Sequence, residues 1–158
     1  MRLLVLSDSH GKSERLEEII RKETDALHIF FLGDLVRDIE NLVFLFPDRT
    51  FHIVAGNCDY FAAEKSIDTV KLAGKKILFT HGHNFRVKYG SAEYLESFAR
   101  QNGCDIALYG HTHIPDIDIR GGIFLVNPGS VGHSRSGPET YAVIDITGDK
   151  IIPKTIKI

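Results

Sequence analysis

Short apolar runs alternate with amphipathic stretches along the first two thirds of this chain, and each run ends at a metal-binding or turn-forming group. The runs are Leu3 to Ser7 before Asp8, Leu27 to Gly33 before Asp34, Phe51 to Gly56 before Asn57, Ile77 to Thr80 before His81, Ile106 to Gly110 before His111, and Ile123 to Val126 before Asn127. Continuous apolar runs of this length, bounded by glycine and turn residues, predict buried strands. The polar groups then sit where a strand passes into a loop, which is where open α/β sheets bind ligands.

Helix candidates lie between the runs. Leu16, Ile19 and Ile20 recur at helical spacing behind Ser13, the predicted N-cap, with Glu14, Glu17, Glu18 and Lys22 facing outward. Ile39, Leu42, Val43 and Phe46 repeat the pattern until Pro47, and a third helix is predicted over Ser91 to Asn102, with Tyr94, Leu95 and Phe98 on one face and Gly103 at C′. These faces predict core packing. Beyond His111 the segments near Asp116–Arg120, Ile123–Val126, Thr140–Ile146 and Ile151–Ile158 are separated by Gly-Gly, Pro-Gly and Gly-Asp turns, a pattern of hairpins. Strand–helix units followed by hairpins predict an α/β fold of two packed sheets with helices outside. Pro153 marks the last strand as an edge.

A length of 158 residues fits one domain over residues 1–158 and is enough to bury roughly 68–70% of the unfolded surface. Neither the 43% hydrophobic nor the 25% charged content departs from globular averages. A formal charge of −2 supplies no general attraction for nucleic acid or membrane, so an anionic substrate has to be drawn in locally, as bound cations would do. Cys58 and Cys104 show no C-x-x-C spacing, which argues against a disulfide framework and a thiolate zinc site. No run reaches transmembrane or signal-peptide length, and a cytoplasmic protein is expected.

Asp8 and His10 are two apart, so an extended backbone would send both side chains to one side, with Gly11 turning the chain away; His111 and His113 repeat the spacing. Carboxylates from Asp8 and Asp34, the amide of Asn57, and imidazoles from His10, His81, His111 and His113 form a mixed O/N donor set without thiolate. Such a set suits Mn²⁺, Fe²⁺, Co²⁺, Ni²⁺ or Zn²⁺ better than Ca²⁺ or Mg²⁺. Seven donors are too many for one catalytic metal with an open position and about right for two ions sharing a bridge.

The motifs D-S-H-G (8–11), G-D (33–34), G-N-C-D (56–59), H-G-H (81–83) and G-H-T-H (110–113), followed by N-P-G-S (127–130), occur in that order. With them the chain resembles the calcineurin-like metallophosphoesterases, specifically the small cap-less phosphodiesterase branch, over about Leu3 to Ser130. The resemblance implies a four-layer αββα sandwich. It also implies two divalent transition-metal ions, Mn²⁺ expected first, one held by Asp8, His10, Asp34 and His113 and the other by Asp34, Asn57, His81 and His111. Asp34 would be the bridge, and a water between the ions the nucleophile. His83 matches no ligand position and is expected to support a ligand or contact phosphate.

Many relatives carry His where Cys58 stands, and that imidazole is thought to protonate the leaving oxygen or steady the phosphoryl group. A thiol is the poorer acid near neutrality, which points to diesters with good leaving groups; a small buried thiol filling space is the other reading. Asn57, Cys58 and His83 are therefore the candidate catalytic groups, and Asn57, His83, His133 and Arg135 the candidate substrate contacts. His133 and Arg135 read equally as a solvated loop. His28 and His52 lie inside strands and read as structural.

The expected function is hydrolysis of a small phosphodiester. The alternatives are a phosphomonoesterase or nucleotidase using the same metals, and a non-catalytic scaffold of the retromer-subunit type. Edge strands and the late apolar hairpins also suit a homodimer or higher homo-oligomer.

Overall fold

The computed structural model describes residues 1–89 and 92–158. Two five-stranded sheets hold the described strands. The first has β1 (Arg2–Leu6), β2 (His28–Phe31), β3 (Thr50–Ile53), β9 (Thr140–Thr147) and β10 (Lys150–Lys157) in the order β10-β9-β1-β2-β3. The second has β4 (Ile67–Leu72), β5 (Lys75–Thr80), β6 (Ile106–Leu108), β7 (Pro115–Arg120) and β8 (Ile123–Pro128) in the order β4-β5-β6-β8-β7. Strands β1, β2 and β3 run parallel, as do β5, β6 and β8, so each group sends its C-terminal ends to one edge.

Alternation along single strands builds the layers. Leu3 and Val5 face the second sheet together with Phe30, Ile77, Phe79, Ile106 and Leu108. Leu4 and Leu6 face the other way, into a core with Leu16, Ile19, Ile20, Ile39 and Leu42 from α1 (Ser13–Lys22) and α2 (Arg37–Leu45). On the outer face of the second sheet, Leu78, Ala107 and Leu125 pack with Leu95 and Ala99 of α3 (Glu93–Gln101). Both faces of the central strands are thus covered, which explains why they read as unbroken apolar runs. The result is the predicted sandwich of helices, sheet, sheet and helix, and β10 is an edge strand as Pro153 implies. No helix among the described residues is long and apolar enough to cross a membrane.

Several local expectations are corrected. Ser13 is the first residue of α1 and not its cap; its hydroxyl donates to the Asp38 carbonyl at 2.6 Å. The predicted α3 face is rotated, because Leu95 and Ala99 are buried while Tyr94 and Phe98 are exposed. Its expected first residue, Ser91, lies outside the described residues. Strand β4 escaped prediction: Ile67, Val70 and Leu72 do not alternate cleanly in a half-exposed edge strand.

Candidate metal centre

The C-terminal strand ends of the two sheets meet through polar bonds. The chain leaving β1 is joined to the loop after β8, with Val131 N–H donating to Ser7 O and Gly132 N–H to Asp8 O, both at 3.1 Å. His81, at the end of β5, donates Nδ1–H to the Leu32 carbonyl after β2 at 2.8 Å. Gly110 makes a close approach possible, since a Cβ there would collide with Ser7 Oγ. His111 N–H beside it donates to Asp8 Oδ2 at 3.1 Å.

Two groups of donors result. Asp8, His10, Asp34 and His113 form one, Asp34, His81 and His111 the other, and within each group the donor atoms lie within 4.8 Å of one another. Asp34 belongs to both. Asp8, Asp34, His81 and His113 are buried, and His10 and His111 are half-buried.

The backbone reaches this arrangement differently from the extended path expected for Asp8/His10 and His111/His113. Asp8, His10, Asp34, His111 and His113 all have left-handed φ values, between 46° and 69°. A left-handed residue with a side chain costs roughly 1–2 kcal/mol, so sharp turns, not pleating, aim these donors at one point.

The donor set suits cations. A carbonyl only accepts, so His81 donates Nδ1–H to Leu32 O, and its Nε2 faces Asp34 Oδ1 at 3.4 Å and His111 Nδ1 at 3.1 Å. His113 is fixed likewise by the His133 carbonyl at 2.6 Å, and its Nε2 faces Asp8 Oδ1 at 3.1 Å and His10 Nε2 at 3.2 Å. Asp8 Oδ1 is buried without a hydrogen bond. Burial works against ionising Asp8, but His113, His81 and Ser7 outweigh it and hold the carboxyl below its ordinary value. Convergent lone pairs of this kind are what divalent ions bind, with carbonyls orienting the imidazoles from behind.

Further groups hold the donors without joining them. Asp59 accepts from the backbone N–H of Asp34 at 2.9 Å, Val36 at 2.8 Å and Gly56 at 2.8 Å, tying the G-D and G-N-C-D turns together. Asp38 accepts from Ser9 Oγ and from Gly11 N–H, each at 2.7 Å, and braces the D-S-H-G loop. Asn127 donates to the Gly110 carbonyl at 3.0 Å and accepts from Gly129 N–H at 2.9 Å, while Ser130 Oγ donates to Asp8 O and accepts from His133 N–H, both at 2.8 Å. The sequence reading gave Asp38 and Asp59 no role; the only signal for Asp59 was its place in G-N-C-D.

The remaining candidates lie around this centre. Asn57 is exposed, with its amide nitrogen 3.4 Å from Cys58 Sγ. Cys58 N–H donates to Asp34 Oδ1 at 3.0 Å and its thiol to Asp34 Oδ2 at 3.3 Å. Burial and the Asp34 hydrogen bond push that thiol up to about 11. The His83 ring lies 5.4 Å from that of His81, its Nδ1 buried without a partner and its pKa lowered by burial and by His81. His111 is held down to about 4 by burial, His81 and Lys88. His133 and Arg135 are exposed; Arg135 N–H donates to the His113 carbonyl at 3.2 Å. His28 and His52 belong to neither donor group and lie on β2 and β3 with Nδ1 and Nε2 3.2 Å apart.

A fold of two mixed sheets carrying two donor groups joined by a shared aspartate defines a metallophosphoesterase. The profile of the calcineurin-like phosphoesterase superfamily domain matches residues 1–149, and the chain belongs to that family. It is 29% identical to the probable metallophosphoesterase YsnB of Bacillus subtilis, over 94% of this chain and 86% of that protein. It is 27% identical to the phosphodiesterase YfcE of Escherichia coli, over 92% and 88%. Identity to vacuolar protein sorting-associated protein 29 of Schizosaccharomyces pombe is 31%, over 99% and 83%. Among solved structures, a predicted phosphoesterase from Streptococcus pneumoniae superposes with a TM-score of 0.84 at 30% identity, covering 99% of this chain and 88% of that one.

Proposed function

We propose that this chain is a metal-dependent phosphodiesterase. The observation that carries the reading is the pair of donor groups sharing Asp34, together with the buried Asp8 Oδ1, which accepts no well-formed hydrogen bond. Asp8, His10, Asp34 and His113 would hold one divalent ion, and Asp34, Asn57, His81 and His111 the other. When bound, two such ions supply Lewis-acid charge to the phosphoryl oxygens and acidify the attacking water. The Leu32 and His133 carbonyls accept the Nδ1–H groups of His81 and His113 and so turn the two Nε2 atoms toward the ions. Cys58 donates to Asp34 and is a weak acid, so the leaving oxygen departs with little help from it. That favours diesters with good leaving groups over alkyl monoesters, and the phosphodiesterase named among the relatives supports the same preference.

The scaffold reading has the sorting protein in its favour. Six of the seven expected donors gather in the two groups, which supports catalysis over it. The deciding experiment strips metal with chelator, adds back Mn²⁺, Ni²⁺, Co²⁺ or Mg²⁺ singly, and measures hydrolysis of an aryl phosphodiester and its matching monoester. Metal-dependent diester turnover well above monoester turnover is expected. Comparable rates would favour a monoesterase, and tight metal binding without turnover a scaffold.

A further inference from the structure

A second feature borders the metal centre. A cleft of about 350 Å³, inside the range of small-ligand sites, is walled by Val87, Ala92, Tyr109, Ile114 and Pro115. Thr112, between His111 and His113, is part of the same wall, and so is Arg135, whose N–H is bonded to the His113 carbonyl. The cleft therefore opens beside the donors without containing them.

Its charges are unequal. Arg120 is paired with Asp118 at 2.6 Å, and Asp116 accepts from the Tyr109 hydroxyl at 2.9 Å. Lys88 and Arg135, also in the lining, have no carboxylate partner among the described residues. The lining thus carries two cations without a salt bridge and one carboxylate, Asp116, among largely apolar side chains. Such a wall has little to offer a neutral ester arm beyond contact, whereas an anionic group would satisfy both cations.

Resting on the phosphodiesterase reading, we infer that Lys88 and Arg135 form a subsite for a second anionic group, phosphate or carboxylate, carried on one arm of the substrate. The substrate class is then a small diester bearing an extra negative charge on a compact, partly apolar arm. Neither side chain is buried, so removing either charge leaves the core intact.

The test is equilibrium binding, which needs no turnover. Thymidine 3′,5′-bisphosphate and thymidine 5′-monophosphate are titrated calorimetrically into the Mn²⁺-loaded protein, its Lys88→Gln and Arg135→Gln variants, and the double variant. The wild-type protein should bind the bisphosphate about tenfold more tightly, an advantage reduced in each single variant and gone in the double one. Equal affinities in the wild type, or an advantage that survives the double substitution, would overturn the subsite. Failure of the phosphodiesterase reading shows separately, as absent diester hydrolysis in the metal panel.

Discussion

At the scale of single residues, Asp34 is the only candidate ligand among the described residues that belongs to both donor groups. Its two oxygens serve both donor groups and also accept from the Cys58 backbone and thiol. Asp8 serves one group. Asp34→Asn should therefore lower the metal content of both sites, and Asp8→Asn mainly that of one; metal counting per chain after dialysis checks this, and equal losses would remove Asp34 as the bridge. The Cys58 thiol donates to the shared carboxylate, which makes this position the one to test for leaving-group help. Cys58→His would put an imidazole titrating near neutrality there, and the monoester-to-diester rate ratio should rise, on the order of 10² where general acid help is fully recovered. An unchanged ratio in steady-state assays of both esters would assign the leaving-group proton elsewhere. Of the six residues in the two donor groups, Asp8, Asp34, His81 and His111 stand out in the sequence because each follows an apolar run, and His10 and His113 because each lies two residues beyond such a position. The left-handed turns that aim them do not, since Asp and His adopt such φ values only when the surrounding fold pays the strain.

At the scale of elements, periodicity located α3 but not its face. Tyr94 and Phe98 share a stripe with Leu95 by spacing, yet the second sheet offers room only for Leu95 and Ala99, so packing against β6 and β8 set the rotation. Its C-terminus followed local chemistry instead. Gly103 has φ 61°, with its N–H donating to Arg100 O at 3.0 Å and Cys104 N–H to Ala99 O at 2.9 Å, the Schellman pairing. A Cβ at Gly103 would meet nothing within 4 Å, so Gly103→Ala tests backbone strain alone. It should cost about 1 kcal/mol, read from the urea midpoint, with metal content unaffected. The same logic separates the elements that sequence could reveal from those it could not. Gly-Gly at 121–122 announces the β7–β8 hairpin through φ values only glycine adopts readily, whereas the β4–β5 turn places Ala73 at φ 49° beside Gly74 at φ 78° and so carries a weaker mark.

At the scale of the whole molecule, the two sheets meet at a core that includes an ionisable contact. His52 of β3 stacks on Phe30 at 4.5 Å and meets Phe79 of the other sheet edge-on at 5.8 Å. Its Nε2 lies 3.2 Å from His28 Nδ1. Burial first, then His28, lowers its pKa from 6.5 to about 4, against an opposing pull from Asp68. The folded protein keeps this ring neutral where the unfolded chain would protonate it. Between pH 6.5 and about 4 the unfolded state therefore binds more protons, and stability falls as the pH is lowered through that window. The full shift corresponds to about 3 kcal/mol, and solvent at the half-exposed ring brings the expected loss to roughly 1–2 kcal/mol. His52→Gln should flatten the dependence. Urea midpoints measured across this range in the presence of chelator, so that metal binding does not contribute, give the comparison. Parallel pH profiles for the two proteins would show that protons act elsewhere, leaving the seam between the sheets indifferent to acid.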